Sequence, residues 1–174
     1  MLDSLSALFE EQLKDMYSAE NQLLRALPKM AKTATHPALK KAFEKHTRET
    51  EVHVERLVKI AQQMGFKPGG KKCAAMAGLV EEGKEVLQED GEDAVIDAAL
   101  IAAAQRVEHY EISAYGTART MAERLGESQV ARLLQQTLDE ESATDEKLTQ
   151  ISEGEVLEHA LAAGGGEDEE ESEG

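Results

Sequence analysis

The chain has 174 residues, long enough to bury a sizeable core, with 3% aromatics, no Trp and three Pro. Ala, Leu, Glu, Gln and Lys fill most of the rest, and no run of alternating β-branched residues survives, so the composition points to long helices and excludes a strand-based fold. The formal net charge is −16, of which the last eleven residues carry −6 and the remainder −10, a balance that repels phosphate backbones and excludes nucleic acid as a partner.

A first long helix is predicted from a cap at Asp3 or Ser4 to about Ala31. Its seam of Leu5, Leu8, Phe9, Leu13, Met16, Tyr17, Leu24, Leu27 and Met30 steps by threes and fours. Pro28 falls inside that pattern and predicts a kinked or frayed last turn. Thr33 to His36 is a short link, and Pro37 suits the first position of a second helix that ends at Met64 before Gly65. The stretch from Gly65 to Asp90 connects to the next long element and holds one short helix, Cys73 to Gln88, weakened by Gly78 and Gly83. A third long helix is predicted from Asp93 to Leu125, a fourth from Ser128 to Ile151, and a short one over Glu153 to Ala163. Residues 1–163 are read as one domain, and 164–174 as a disordered tail of Gly and acids.

Link lengths set the topology. Short links make helices one and two antiparallel neighbours, and likewise three and four. The 26 residues from Gly65 to Asp90 exceed a tight turn and let the chain return along the bundle before helix three. Two hairpins joined by one long crossover form the ferritin-like arrangement, an all-α four-helix bundle with short extra helices. The most apolar stretch, Ala94 to Ala104, is short and interrupted by Asp97, so no segment spans a membrane. A single cysteine, Cys73, and an opening Met1-Leu2-Asp3 without the features of a signal peptide predict a cytoplasmic protein. Cys73 leaves an intermolecular disulfide open, though nothing in the sequence requires one.

Polar groups interrupt each seam near its middle. Glu20 continues the first; His46, Glu49 and His53 the second; Glu108 and Glu111 the third; Glu141 and Asp145 the fourth. A buried carboxylate costs several kcal/mol unless paired, and four converging acids require positive charge between them. Divalent metals supply it and take carboxylate and imidazole as ligands. The alternative is a salt-bridged interior using Arg25, Arg48 or Arg106. Glu20 and Glu111 stand 91 apart, Glu49 and Glu141 92 apart, and His53 and Asp145 92 apart, so the hairpins read as degenerate copies. His46 is read as a core-edge histidine, Glu108 as either a ligand or a group orienting one, and Tyr17, one turn before Glu20, as a packing residue with a hydrogen bond to a ligand as the second reading. Tyr110 and Tyr115 are read as packing residues whose hydroxyls need partners.

The runs Asp15-Met-Tyr-Ser-Ala-Glu20, Glu49-Thr-Glu-Val-His53-Val-Glu-Arg-Leu57, Glu108-His-Tyr-Glu111 and Leu138-Asp-Glu-Glu141-Ser-Ala-Thr-Asp145 resemble the YciE/YciF family, a bacterial branch of the ferritin-like superfamily. The likeness covers roughly residues 1–160. It implies a bundle with a dimetal centre, a homodimer, and a stress-linked role. The ligands it implies are Glu20, Glu49, His53, Glu111 and Glu141, with Glu108 and Asp145 as close candidates. The superfamily places Glu-x-x-His on helices two and four. Here Glu49 and His53 stand four apart, and Asp145 occupies the region where the second histidine is expected. An oxygen-rich site with one or two imidazoles favours iron, or manganese, over zinc. Activation of dioxygen or peroxide is one expectation. The other is a non-enzymatic structural or stress protein with a structural or vestigial metal site, and cage-forming iron storage is a weaker third.

Overall fold

The computed structural model describes residues 2–164; of the tail expected over 164–174, Gly164 ends the last helix and the rest lies outside the described residues. The elements are α1 (Leu5–Thr33), α2 (Pro37–Met64), α3 (Ala74–Val86), α4 (Asp93–Arg124), α5 (Ser128–Ile151), a π-type stretch Ser152–Val156, and α6 (Leu157–Gly164). No strand occurs among the described residues. Ser4 caps α1, its side-chain oxygen accepting from the Ala7 N–H at 3.1 Å. Gly65 (φ 79°) ends α2 and Gly126 (φ 80°) follows α4, both in the left-handed region where a side chain is costly. Pro28 does not end α1, which runs on to Thr33. It sits on the exposed face, where water can take the bond that its missing N–H forgoes.

α1 with α2, and α4 with α5, form two antiparallel hairpins; α1 then packs on α4 and α2 on α5. Pro37 and Asp93, the first residues of α2 and α4, line one surface cleft, so these two helices start at the same end. The crossover has therefore carried the chain back along the bundle, giving the ferritin-like connection. Its helix α3 is tied to α1: Ser18 Oγ accepts from the Cys73 N–H at 2.9 Å, and Gln22 donates to the Cys73 carbonyl at 3.0 Å. The Cys73 sulfur is buried beside the Tyr110 hydroxyl at 3.0 Å.

Asp97 joins the two hairpins at the end where α2 begins. His36, the residue before α2, gives no side-chain cap. Asp97, buried on α4, accepts instead from the Thr35 N–H at 3.0 Å, the Thr35 hydroxyl at 2.7 Å and the His36 N–H at 2.7 Å. A carboxylate from another helix thus satisfies donors at the positive end of α2.

The buried positions follow one rule. On α1 they include Phe9, Leu13, Met16, Glu20, Leu23, Leu27 and Met30; on α2, Leu39, Phe43, His46, Thr50, His53, Leu57 and Ile60. The steps alternate between three and four residues, the 3.5-residue repeat of knobs-into-holes packing. Shifting those numbers by 91 lands on the buried set of the second hairpin: Leu13 on Ala104, Glu20 on Glu111, Phe43 on Leu134, Leu57 on Leu148 and Ile60 on Ile151. The offset is 91 for α2 and α5 as well, which replaces the expected 92. Glu141 therefore corresponds to Thr50, His53 to Thr144, and His46 to Thr137. All six are buried.

Candidate metal centre

Two apolar cores divide the bundle, one around Leu27, Leu39, Phe43, Leu100 and Leu148, the other around Phe9, Leu13, Ile60, Tyr115 and Leu134. Between them lies a polar layer of Glu20, His46, Thr50, His53, Glu108, Glu111, Thr137, Glu141 and Thr144, every one buried. The four long helices all contribute to it. Water that would otherwise stabilise these carboxylates is shut out from both sides.

Two groups of ligand-type atoms converge there. His46, Glu108, Glu111 and Glu141 form one, and Glu20, His53 and Glu141 form the other, with the donor atoms of each within 4.8 Å of one another. Glu141 belongs to both. Nε2 of His46 lies 3.2 Å from Glu108 and 3.8 Å from Glu141. Nδ1 of His53 lies 2.9 Å from Glu141 Oε1 and 3.5 Å from Glu20. Adjacent ligands of an octahedral ion with bonds of about 2.1 Å are about 3 Å apart, the same range as these contacts.

The donors are close without being satisfied. Both oxygens of Glu111 and of Glu141, one oxygen each of Glu20 and Glu108, both ring nitrogens of His46 and Nδ1 of His53 are buried and make no hydrogen bond. Buried polar groups are normally paired, so this density of orphaned atoms marks a place built for another species. No arginine neutralises the acids: Arg25 and Arg48 are exposed and Arg106 reaches Glu82 on the outside. Four carboxylates with two neutral imidazoles balance the charge of two divalent ions. The residues present therefore fit a carboxylate-rich metal site.

Without metal, protons must serve. Burial disfavours the charged form of His46, but Glu108, Glu141 and Glu20 outweigh it and push its pKa up to about 9. Burial acts likewise on His53, and the neighbouring carboxylates of Glu141 and Glu20 override it and push its pKa up to about 10. Burial drives Glu111 well above the usual carboxylate range, with Glu20, Glu141 and Glu108 adding to it, and lifts Glu141 to about 8 against the opposing pull of the histidines. The metal-free cluster thus holds cationic imidazoles and at least partly protonated acids.

A second layer orients the first. Nε2 of His53 meets Glu140 Oε2 at 2.8 Å. Arg56 grips both oxygens of Glu140, one at 2.9 Å, and donates to Thr137 at 3.1 Å. The Arg56 contact holds the Glu140 carboxyl below its ordinary value, so Glu140 is an acceptor and Nε2 must carry the proton. That leaves Nδ1 of His53 to face Glu20 and Glu141. On the opposite side the Tyr115 hydroxyl, fully buried, donates to Glu20.

The expected residues divide. Glu20, His53, Glu108, Glu111 and Glu141 come together in the layer. Glu49 stands at its rim: it is ion-paired with Lys45, and its inner oxygen is 4.0 Å from Nδ1 of His46, outside both groups. Asp145 does not face the layer. It accepts from Gln105 at 3.1 Å and lies 3.4 Å from the exposed His109. The 3.5-residue stripe passes through Thr50 rather than Glu49, and through Thr144 rather than Asp145. His46, expected at the core edge, is buried within the first group, and the hydroxyl reaching Glu20 is that of Tyr115, not Tyr17. The His46–Thr50–His53 spacing carried the signal for His46. Nothing in the local sequence signals Arg56 or Glu140.

The pattern of a family described as a domain of unknown function, DUF892, matches residues 4–161. Protein YciF of Escherichia coli K12 is 46% identical over 152 residues, covering 87% of this chain and 92% of that one. The chain belongs to the YciF family. The crystal structure of the E. coli stress protein YciF superposes with a TM-score of 0.85 at 44% identity, covering 91% of this chain and 98% of the other. A second solved structure, YcfI from Rhodopseudomonas palustris, gives a TM-score of 0.82 at 40% identity, covering 85% of this chain and 94% of that one. A Xanthomonas campestris protein at 20% identity, TM-score 0.72, covers 91% of this chain and 98% of that one and shares the fold. Among the described residues no helix is long and apolar enough to cross a membrane.

Proposed function

We propose that this YciF-family chain is a ferritin-like dimetal carboxylate protein that binds iron, or manganese, and reacts with dioxygen or peroxide. One observation carries the reading: two groups of unsatisfied buried donors share Glu141 between them. His46, Glu108 and Glu111 would hold one ion, Glu20 and His53 the other, and Glu141 would bridge. Bound there, iron or manganese would supply the redox chemistry, at a place closed to bulk water. The chain's own part is to fix the ligands, to place the proton of neutral His53 on Nε2 through Glu140 and Arg56 so that Nδ1 is the nitrogen offered to an ion, and to hold a phenolic proton at Tyr115 beside Glu20. The setting is proposed to be cytoplasmic and the protein a homodimer.

Oxygen and peroxide consumption by the iron-loaded protein tests the proposal. Oxidation faster than with free iron, lost in Glu141→Gln, is expected; a rate equal to free iron overturns it. A second reading, a structural metal site without turnover, is favoured by the departure of α5 from the expected ligand pattern, where Thr137 and Thr144 stand at the positions matching His46 and His53. YcfI has been put forward as a structural protein, which points the same way. Metal-dependent stabilisation without oxidation would decide for it.

A further inference from the structure

Away from the carboxylate layer, α1, α3 and α4 enclose a cleft of about 260 Å³. Leu23, Met30, Leu79, Leu87, Ala103 and Val107 give it apolar walls. Its charged lining residues are Arg25, Lys29 and Lys84, with no acid among them. In a chain with 35 acidic and 19 basic residues, three cations around one apolar space is a local reversal of sign. Arg25 and Lys29 stand one helical turn apart and make no ion pair with any described residue, while Lys84 faces them from α3 and pairs with Glu81 at 2.6 Å. Gly83 completes the wall. A glycine inside a helix costs stability. A Cβ at Gly83 would meet no atom within 4 Å, so it is space, not crowding, that its missing side chain leaves.

We propose that this cleft binds a small amphiphile with an anionic head, an aliphatic monocarboxylate, its alkyl chain between α1, α3 and α4 and its carboxylate at Arg25 and Lys29. Apolar walls supply affinity and the paired cations supply direction and selectivity. The site is separate from the proposed metal centre and stands or falls without it.

Isothermal titration of the full chain with decanoate, with 1-decanol as the uncharged control, tests it. Saturable binding of one decanoate per chain is expected, with 1-decanol about tenfold weaker, the worth of a charge-assisted contact. Arg25→Glu with Lys29→Glu should weaken decanoate about tenfold and leave 1-decanol unchanged. Gly83→Leu should abolish both while its melting temperature holds or rises, because a leucine fills the space and favours the helix. Absent decanoate binding, equal binding of 1-decanol, or undiminished binding by a folded Gly83→Leu chain would each overturn the proposal.

Discussion

Nε2 of His53 lies 2.8 Å from Glu140, and because Glu140 is clamped by Arg56 this contact turns the other ring nitrogen toward Glu20 and Glu141. A carboxylate behind a histidine fixes the tautomer and raises the basicity of the inward nitrogen. Glu140→Gln should therefore weaken metal binding about 10- to 100-fold without removing a ligand. Titration of manganese into anaerobic protein, wild type against variant, reads this directly; equal affinity would detach Glu140 from the site.

Glu141 is common to both donor groups, whereas Asp145 belongs to neither. Elemental analysis should find about two transition metals per chain in the wild type, as in dimetal bundles. Glu141→Gln should fall to well below one, and Glu20→Gln to about one. Asp145→Asn should keep the full complement.

The metal-free protein should lose stability as pH rises. Burial lifts Glu141 to about 8 in the folded state and holds Glu111 well above the usual carboxylate range, so both stand above the unfolded value of 4.5. From 4.5 upward the folded state binds more protons than the unfolded, so stability falls with pH. His46 and His53, raised to about 9 and about 10 from 6.5, act in the same direction: their contribution is complete below 6.5 and is lost through 9 and 10. Metal competes with these same protons, so metal-induced stabilisation should grow over the same window. Thermal melts from pH 5 to 9, with chelator and with manganese, should give slopes of opposite sign for the apo protein and for the increment due to metal.

Asp97 is a structural carboxylate, not a ligand. Asp97→Ala would leave the Thr35 and His36 N–H groups at the start of α2 without their partner. Thr35 is exposed and His36 half-buried, so water can replace part of the lost acceptor, and a loss of about 1–3 kcal/mol, the worth of a hydrogen bond to a charged group, is expected in denaturant unfolding. Metal content should stay unchanged, because this contact sits at the end of the bundle.

The sequence by itself determined the four long helices and most of their ends, though α1 runs two residues past the expected Ala31 and the last short helix opens with a π-type stretch. Gly65 and Gly126 mark stops, Pro37 marks a start, and the seam spacing is local chemistry that each segment carries alone. It also determined that Glu20, Glu111 and Glu141 interrupt apolar faces near mid-helix, since a seam is legible within one helix. Tertiary structure decided the finer choices. Glu49 and Thr50, or Thr144 and Asp145, are adjacent on a helical face, and only packing against three other helices selects a 3.5-residue stripe that turns Thr50 and Thr144 inward. Tyr115 meets Glu20 across 95 residues, and Arg56 meets Glu140 across 84. Partners so distant in the chain leave no local trace, because their pairing depends on how the two hairpins dock rather than on any single segment.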